Sequence, residues 1–168
     1  MAAPYTTDVP AGRLHEDLHW LFARLKQGLA TAEAAAVRPH GLNLWGYTVL
    51  MAIVEAPARS QLALAQAVSV DKSKLVAILD ELEDAGLVRR RPDAADRRAR
   101  IIEVTEQGHR ALDAARADVE AIENRLLADL DRPAQTILRD ALRRLAGEPI
   151  VRIEEGRPPT TACAPQEA

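Results

Sequence analysis

The sequence predicts a mainly α fold carrying one small β-hairpin, and three observations lead there. Aromatic residues are only 3% of the 168, and the 48% that is hydrophobic is mostly Ala and Leu, both strong helix formers. Apolar positions recur at three- and four-residue spacing along most of the chain. Only residues 87–91 and 101–104 have β-type composition, and the turn-rich stretch Pro92-Asp93-Ala94-Ala95-Asp96-Arg97-Arg98 separates them.

Each element has its own signals. Residues 1–12 hold two prolines and no periodicity, which reads as a loose arm. Leu14, Leu18, Leu21, Phe22, Leu25 and Leu29 then mark an amphipathic helix within a long helical stretch over 13–37. Arg38-Pro39-His40-Gly41 breaks it, because Pro lacks a donor and Gly releases the backbone. Asn43 caps a second helix to about Glu55, with Leu44, Val49, Leu50 and Ile53 inward. Ser60 caps a short helix over 61–67. After the link Val68-Ser69-Val70, Asp71 caps another helix that runs to about Ala85 and stops at Gly86. Its core stripe is Leu75, Ile78, Leu79 and Leu82, and the pair of helices forms a helix-turn-helix pattern.

The two β-type runs follow as a hairpin whose basic tip forms a wing. Thr105 caps a long helix to about Leu130, with Leu112, Ala115, Val119, Ile122 and Leu126 as a short heptad seam. Asp131-Arg132-Pro133 starts a last helix, with Ile137, Leu138, Ala141, Leu142 and Leu145 inward, and Gly147-Glu148-Pro149 closes it. One domain over 13–147 results, with long helical stretches over 13–37 and 105–146 flanking a lobe over 43–104. Residues 148–168 read as a mobile tail.

The net charge of −3 is unevenly spread. Residues 89–100 carry six arginines against Asp93 and Asp96, a net of +4, whereas residues 101–131 carry eight acids against three arginines, a net of −5. A short basic element on an acidic body is compatible with DNA binding, because local potential decides the contact. No apolar stretch reaches the length of a membrane span and no secretory signal opens the chain. The single Cys163 suits a reducing cytoplasm. Phosphate-loop, dinucleotide, nucleophile-elbow and zinc-protease motifs are all missing, so no enzyme and no cofactor is expected. His15 and His19 lie one helical turn apart, but four histidines without a nearby Cys do not make a metal site.

The order of elements, with Leu64-Ala65, Asp71-Lys72-Ser73-Lys74-Leu75 and the run Leu82-Glu83-Asp84-Ala85-Gly86-Leu87-Val88, resembles the MarR (multiple antibiotic resistance regulator) family. Asp93-Ala94-Ala95-Asp96-Arg97-Arg98 and Val104-Thr105-Glu106-Gln107-Gly108 continue the likeness in register. The resemblance implies a winged helix-turn-helix homodimer that binds a palindromic operator, usually as a repressor, and is released by a small molecule or an oxidant. No Cys lies in the first helix, so thiol sensing is not expected.

Physical reasoning assigns the DNA contacts. Lys72, Ser73 and Lys74 fill the first turn of the Asp71-capped helix, the part that enters a major groove. Val76 and Ala77 point away from its core stripe and can touch thymine methyls, although the family commonly has a long basic residue at the Ala77 position. By resemblance, Arg98 probes the minor groove while Asp96 holds its guanidinium, and Arg97 and Arg100 lie nearer phosphates. For an effector, His19, Trp20, Arg24, Trp45 and Tyr47 offer rings and a cation to a small aromatic acid. The competing reading is a helical dimer whose basic hairpin binds an acidic protein, without specific DNA binding.

Overall fold

A computed structural model describes residues 16–56, 61–92, 100–147, 150 and 156. The N-terminal arm, the Ser60 cap, Asp96, Arg97 and Arg98 of the wing tip, and the tail with Cys163 lie outside the described residues. The fold is mainly helical: α1 (Leu18–Val37), α2 (Leu44–Glu55), α3 (Gln61–Ala67), α4 (Lys72–Asp84), β1 (Val88–Pro92), β2 (Arg100–Val104), α5 (Glu106–Leu126) and α6 (Arg132–Leu145). It divides into two compact units, residues 1–123 and 124–168.

In the first unit the expected caps are in place. Asn43 Oδ1 accepts from the Gly46 N–H at 2.8 Å, and Asp71 Oδ1 accepts from the Lys74 N–H at 2.9 Å. Each satisfies a backbone donor that a helix start leaves without a partner. A 3-10 turn over Arg38–His40, closed by Gly41 in the left-handed region, separates α1 from α2. Gly86 ends α4 at φ +70°, a conformation that costs glycine little. The hairpin is antiparallel with Val88 opposite Val104 and Arg90 opposite Ile102.

Val49, Leu50, Leu75 and Leu79 form the fully buried centre of this unit, and Leu64, Val88, Ile102, Leu112 and Ala115 pack around it. Helix, hairpin and long helix thereby share one core, which fixes how α4 is presented. Thr105 joins them: its hydroxyl donates to the Gly86 carbonyl at 2.7 Å and accepts from the Gly108 N–H at 3.0 Å. Gly108 has to be glycine, since a Cβ there would lie 2.1 Å from the Leu87 carbonyl oxygen.

The second unit begins near the end of α5, which stops at Leu126 rather than about Leu130. In the turn that follows, Gln135 Nε2 donates to the Leu127 and Leu130 carbonyls at 3.0 and 2.9 Å. Asp131 caps α6 by accepting from the Ala134 N–H at 2.8 Å. The apolar stripe of α6 was expected to face inward, and here the expectation needs correcting. No residue of α6 is buried, and Ile137 is 68% exposed. A unit this small cannot cover its own helix. In α1, likewise, only Val37 is buried while Leu18, Phe22 and Leu25 stay exposed.

Candidate nucleic-acid interface

The geometry starts from α4. Burial of Leu75, Ile78, Leu79 and Leu82 at helical spacing turns the opposite face to solvent. Lys72, Ser73, Lys74 and Ala77 are all exposed there, with Val76 half-buried at the edge. Two lysines thus stand at the first turn, where the helix also presents its positive end.

Acidic residues occupy the other end of α4, and each that the structure ties down is held by a neighbour. Arg90, projecting from β1, donates from Nη1 to Glu83 at 2.7 Å and from Nη2 to Asp80 at 2.6 Å. Its backbone N–H also donates to Glu83, at 3.1 Å. Asn43 Nδ2 donates to Glu81 Oε2 at 3.0 Å, linking the start of α2 to the same helix. α2 and α4 approach closely just beside that bond, where a Cβ added at Gly46 would lie 3.2 Å from Leu82 Cδ2.

The basic segment carries less open charge than its sequence suggests. Arg89 and Arg91 share one face of β1 and both reach Glu103 on β2, at 2.8 and 3.1 Å. Hydrogen bonding from Arg89, reinforced by Arg91, holds the Glu103 carboxyl below its ordinary range. With Arg90 also paired, three of the six arginines of the segment are matched by acids of β2 and α4. Arg100, opposite Pro92 at the loop end of the hairpin, is exposed next to the wing tip. This partial neutralisation depends on cross-strand register and helix packing, so a count of charges along the chain could not reveal it.

The five residues considered for an effector lie in three places. His19, Trp20 and Arg24 are on the first two turns of α1. Trp45 is 40% exposed, and the Lys74 ammonium lies 3.7 Å from its ring centroid. Tyr47 is buried, with Arg116 of α5 acting on its hydroxyl. Burial pushes the Tyr47 hydroxyl up in pKa, and Arg116 opposes that shift. Glu33 is also raised, by burial first and then by repulsion from Glu123. Tyr47, Arg116, Glu33 and Glu123 therefore form a polar cluster among α1, α2 and α5. Glu33 lies nine residues beyond Arg24, about 13 Å along the helix. The cation beside Tyr47 is thus Arg116, whose role no sequence spacing signals. His40 is paired as well, with Asp118 at 2.7 Å. Among the described residues no group of three or more His, Cys, Asp or Glu could hold a metal ion, and no helix is long and apolar enough to cross a membrane.

Comparison with known proteins adds independent findings. A model of the MarR family matches residues 40–99, which span α2 to the wing. The chain is 33% identical over 99 residues to the transcriptional regulator HosA of Escherichia coli O127:H6, covering 59% of this chain and 73% of HosA. It is 30% identical over 131 residues to the HTH-type transcriptional repressor Rv2887 of Mycobacterium tuberculosis, covering 78% of this chain and 94% of Rv2887. The crystal structure of Rv2887 with salicylic acid is similar too (TM-score 0.64, 31% identity, 77% of this chain and 96% of that one). So is CouR of Rhodococcus jostii RHA1 bound to p-coumaroyl-CoA, with TM-score 0.72, 34% identity and coverage of 80% and 95%. CouR bound to a 23-mer DNA duplex gives TM-score 0.75 at 28% identity, covering 83% of this chain and 99% of that one.

Proposed function

Since the chain belongs to the MarR family of transcription regulators, we propose that it is a homodimeric repressor that binds a palindromic operator and releases it on binding a small aromatic acid. One observation carries the reading: α4 is locked into the core, and its exposed first turn holds Lys72, Ser73 and Lys74 while Asp80, Glu81 and Glu83 at its other end are tied to neighbours. Such a helix can enter a major groove without bringing carboxylates to the phosphates. Lys72, Ser73, Lys74, Val76 and Ala77 then face base edges, and Arg97, Arg98 and Arg100 work from the wing, with Asp96 supporting Arg98. A DNA partner is consistent with a cytoplasmic location.

Homodimerisation is supported by the apolar faces that one chain leaves open. α1 exposes Leu18, Phe22 and Leu25, and the second unit exposes Leu126, Ile137, Leu142 and Leu145. Apolar faces left open in this way are characteristic of an interface. A second copy that covers it gives two recognition helices related by a two-fold axis, which suits half-sites about one helical turn, roughly 34 Å, apart.

For the effector, salicylic acid in Rv2887 and p-coumaroyl-CoA in CouR suggest an aromatic acid or its thioester. Arg24 near His19 and Trp20, and Arg116 beside Tyr47, are the two cations that could meet its charge. Release requires that the acid bind the DNA-free arrangement more tightly, since equal affinity for both would shift nothing.

Selection of duplexes from a random pool, followed by footprinting and a salt titration, tests the reading. A palindrome preferred over random duplex, with a steep log–log salt slope, is expected. Equal affinity for all duplexes, or binding only to acidic proteins, would refute it. Salicylate titrated into the operator complex should weaken binding in the parent, and whichever of Arg24→Ala and Arg116→Ala abolishes that response identifies the pocket.

A further inference from the structure

We propose that Trp45 is a positioning residue for DNA recognition: its indole face holds the Lys74 ammonium in place at the first turn of α4. The proposal rests on the DNA-binding reading above and extends it to a residue on a different helix.

The ammonium lies 3.7 Å from the ring centroid, well within the range of a cation–π contact. Both ends of this contact are fixed by other bonds. On the lysine side, the Lys74 N–H is held by the Asp71 carboxylate at 2.9 Å, so the backbone that carries the side chain is anchored in the helix cap. On the tryptophan side, α2 is held against α4 next to Trp45 by the bond from Asn43 to Glu81 and by contact of Gly46 with Leu82. A Cβ added at 46 would lie 3.2 Å from Leu82 Cδ2, so the two helices approach closely here. The ring itself stays 40% exposed, so it is not simply part of the core.

Lysine is a flexible point charge, and ordering it on binding costs rotamer freedom. An ammonium with an aromatic ring against one side keeps its other N–H donors for an outside acceptor. Trp45 therefore orders Lys74 before DNA arrives and directs it from the helix start, where base edges and phosphates lie in a groove-docked helix. No Arg is needed for this arrangement, since the ring face supplies the direction that a guanidinium carries in its own shape.

A double-mutant cycle on the selected operator tests the idea, using Trp45→Leu, Lys74→Met and the pair, with affinities from fluorescence anisotropy. Trp45→Leu should weaken operator binding about three- to tenfold, the range expected for losing a partly exposed cation–π contact. Trp45→Phe should restore most of it. In the Lys74→Met background, Trp45→Leu should change affinity no further. An equal loss in both backgrounds would make Trp45 a structural or direct contact, and no loss in either would make it a bystander; both results overturn the proposal. The free protein gives a second measurement, in which ring current should shift the Lys74 ε-methylene protons upfield and Trp45→Leu should abolish the shift. An unshifted signal in the parent overturns the proposal without reference to DNA. If the shift is present but no duplex is preferred, the DNA-binding reading has failed and the positioning role falls with it.

Discussion

Alanine at Gly108 should destabilise the chain, whereas alanine at Gly28 should stabilise it, although both glycines lie in helices. At Gly108 the added Cβ would sit 2.1 Å from the Leu87 carbonyl oxygen and 2.7 Å from Val104 Cγ1. That is more than about 1 Å inside ordinary contact, and one of the atoms is backbone, which cannot rotate away. Relief requires the start of α5 to move off the hairpin. The Leu87 carbonyl also accepts the Thr105 N–H at 2.9 Å, so the same movement strains the junction that caps the helix. Overpacking costs about 1–3 kcal/mol and a weakened hydrogen bond about 1 kcal/mol, against at most about 1 kcal/mol gained from replacing Gly in a helix. The net loss is about 1–3 kcal/mol, which for a chain of this size lowers Tm by about 3–10 °C. At Gly28 nothing lies within 4 Å of the new Cβ, so the helical gain stands alone and Tm should rise by about 1–3 °C. Thermal melts followed by circular dichroism at equal protein concentration give both values. A Gly108→Ala variant that melts at or above the parent would refute the account of the α5–hairpin junction.

Four other outcomes are expected. Glu103→Gln should raise affinity for random duplex and steepen its salt slope, because Arg89 and Arg91 lose their shared acid; anisotropy at several salt concentrations reads this. Since those arginines hold the Glu103 carboxyl below its ordinary range, its contribution to stability is present above the unfolded pKa and is lost as pH falls through the lowered folded value; acid melts of parent and Glu103→Gln should converge there. Leu126→Asp should convert a two-fold dimer to monomer in light scattering, since it puts a charge on an exposed apolar face. Lys72→Ala should weaken operator binding and lower the salt slope by about one unit, with little change in Tm.

Local signals in the sequence were the legible ones. Asn43, Asp71 and Thr105 read as caps because a cap joins residues three apart, and the structure forms each of those bonds. The core stripe of α4 was equally plain, because helical spacing alone brings Leu75, Ile78, Leu79 and Leu82 to one side. The last turn of α5 was harder to place: apolar residues continue to Leu130, but Gln135 bonds the Leu127 and Leu130 carbonyls in the turn after the helix. Cross-element pairs left no trace in the spacing. Arg90 looked like one more wing cation, yet it faces α4; Trp45 looked like a companion of Tyr47, yet two positions along a helix place them about 200° apart. Such pairs arise only when hairpin and helices pack, so residue order does not contain them.

Taken together, the ties on α4 constrain how DNA binding can be regulated. The helix is bonded to α2 through Asn43 and Glu81, to β1 through Arg90, and to the core through four buried side chains. Half-buried charge-assisted bonds such as those of Arg90 are worth more than exposed ion pairs, and here they act alongside apolar packing. Turning α4 within its own lobe would break several of these at once. In a homodimer, the softer coordinate is the separation of two such lobes, which none of these bonds restrains. An effector that lowers operator affinity therefore has to work on that separation, and it can do so while every contact of Lys72, Ser73 and Lys74 with its own lobe stays intact.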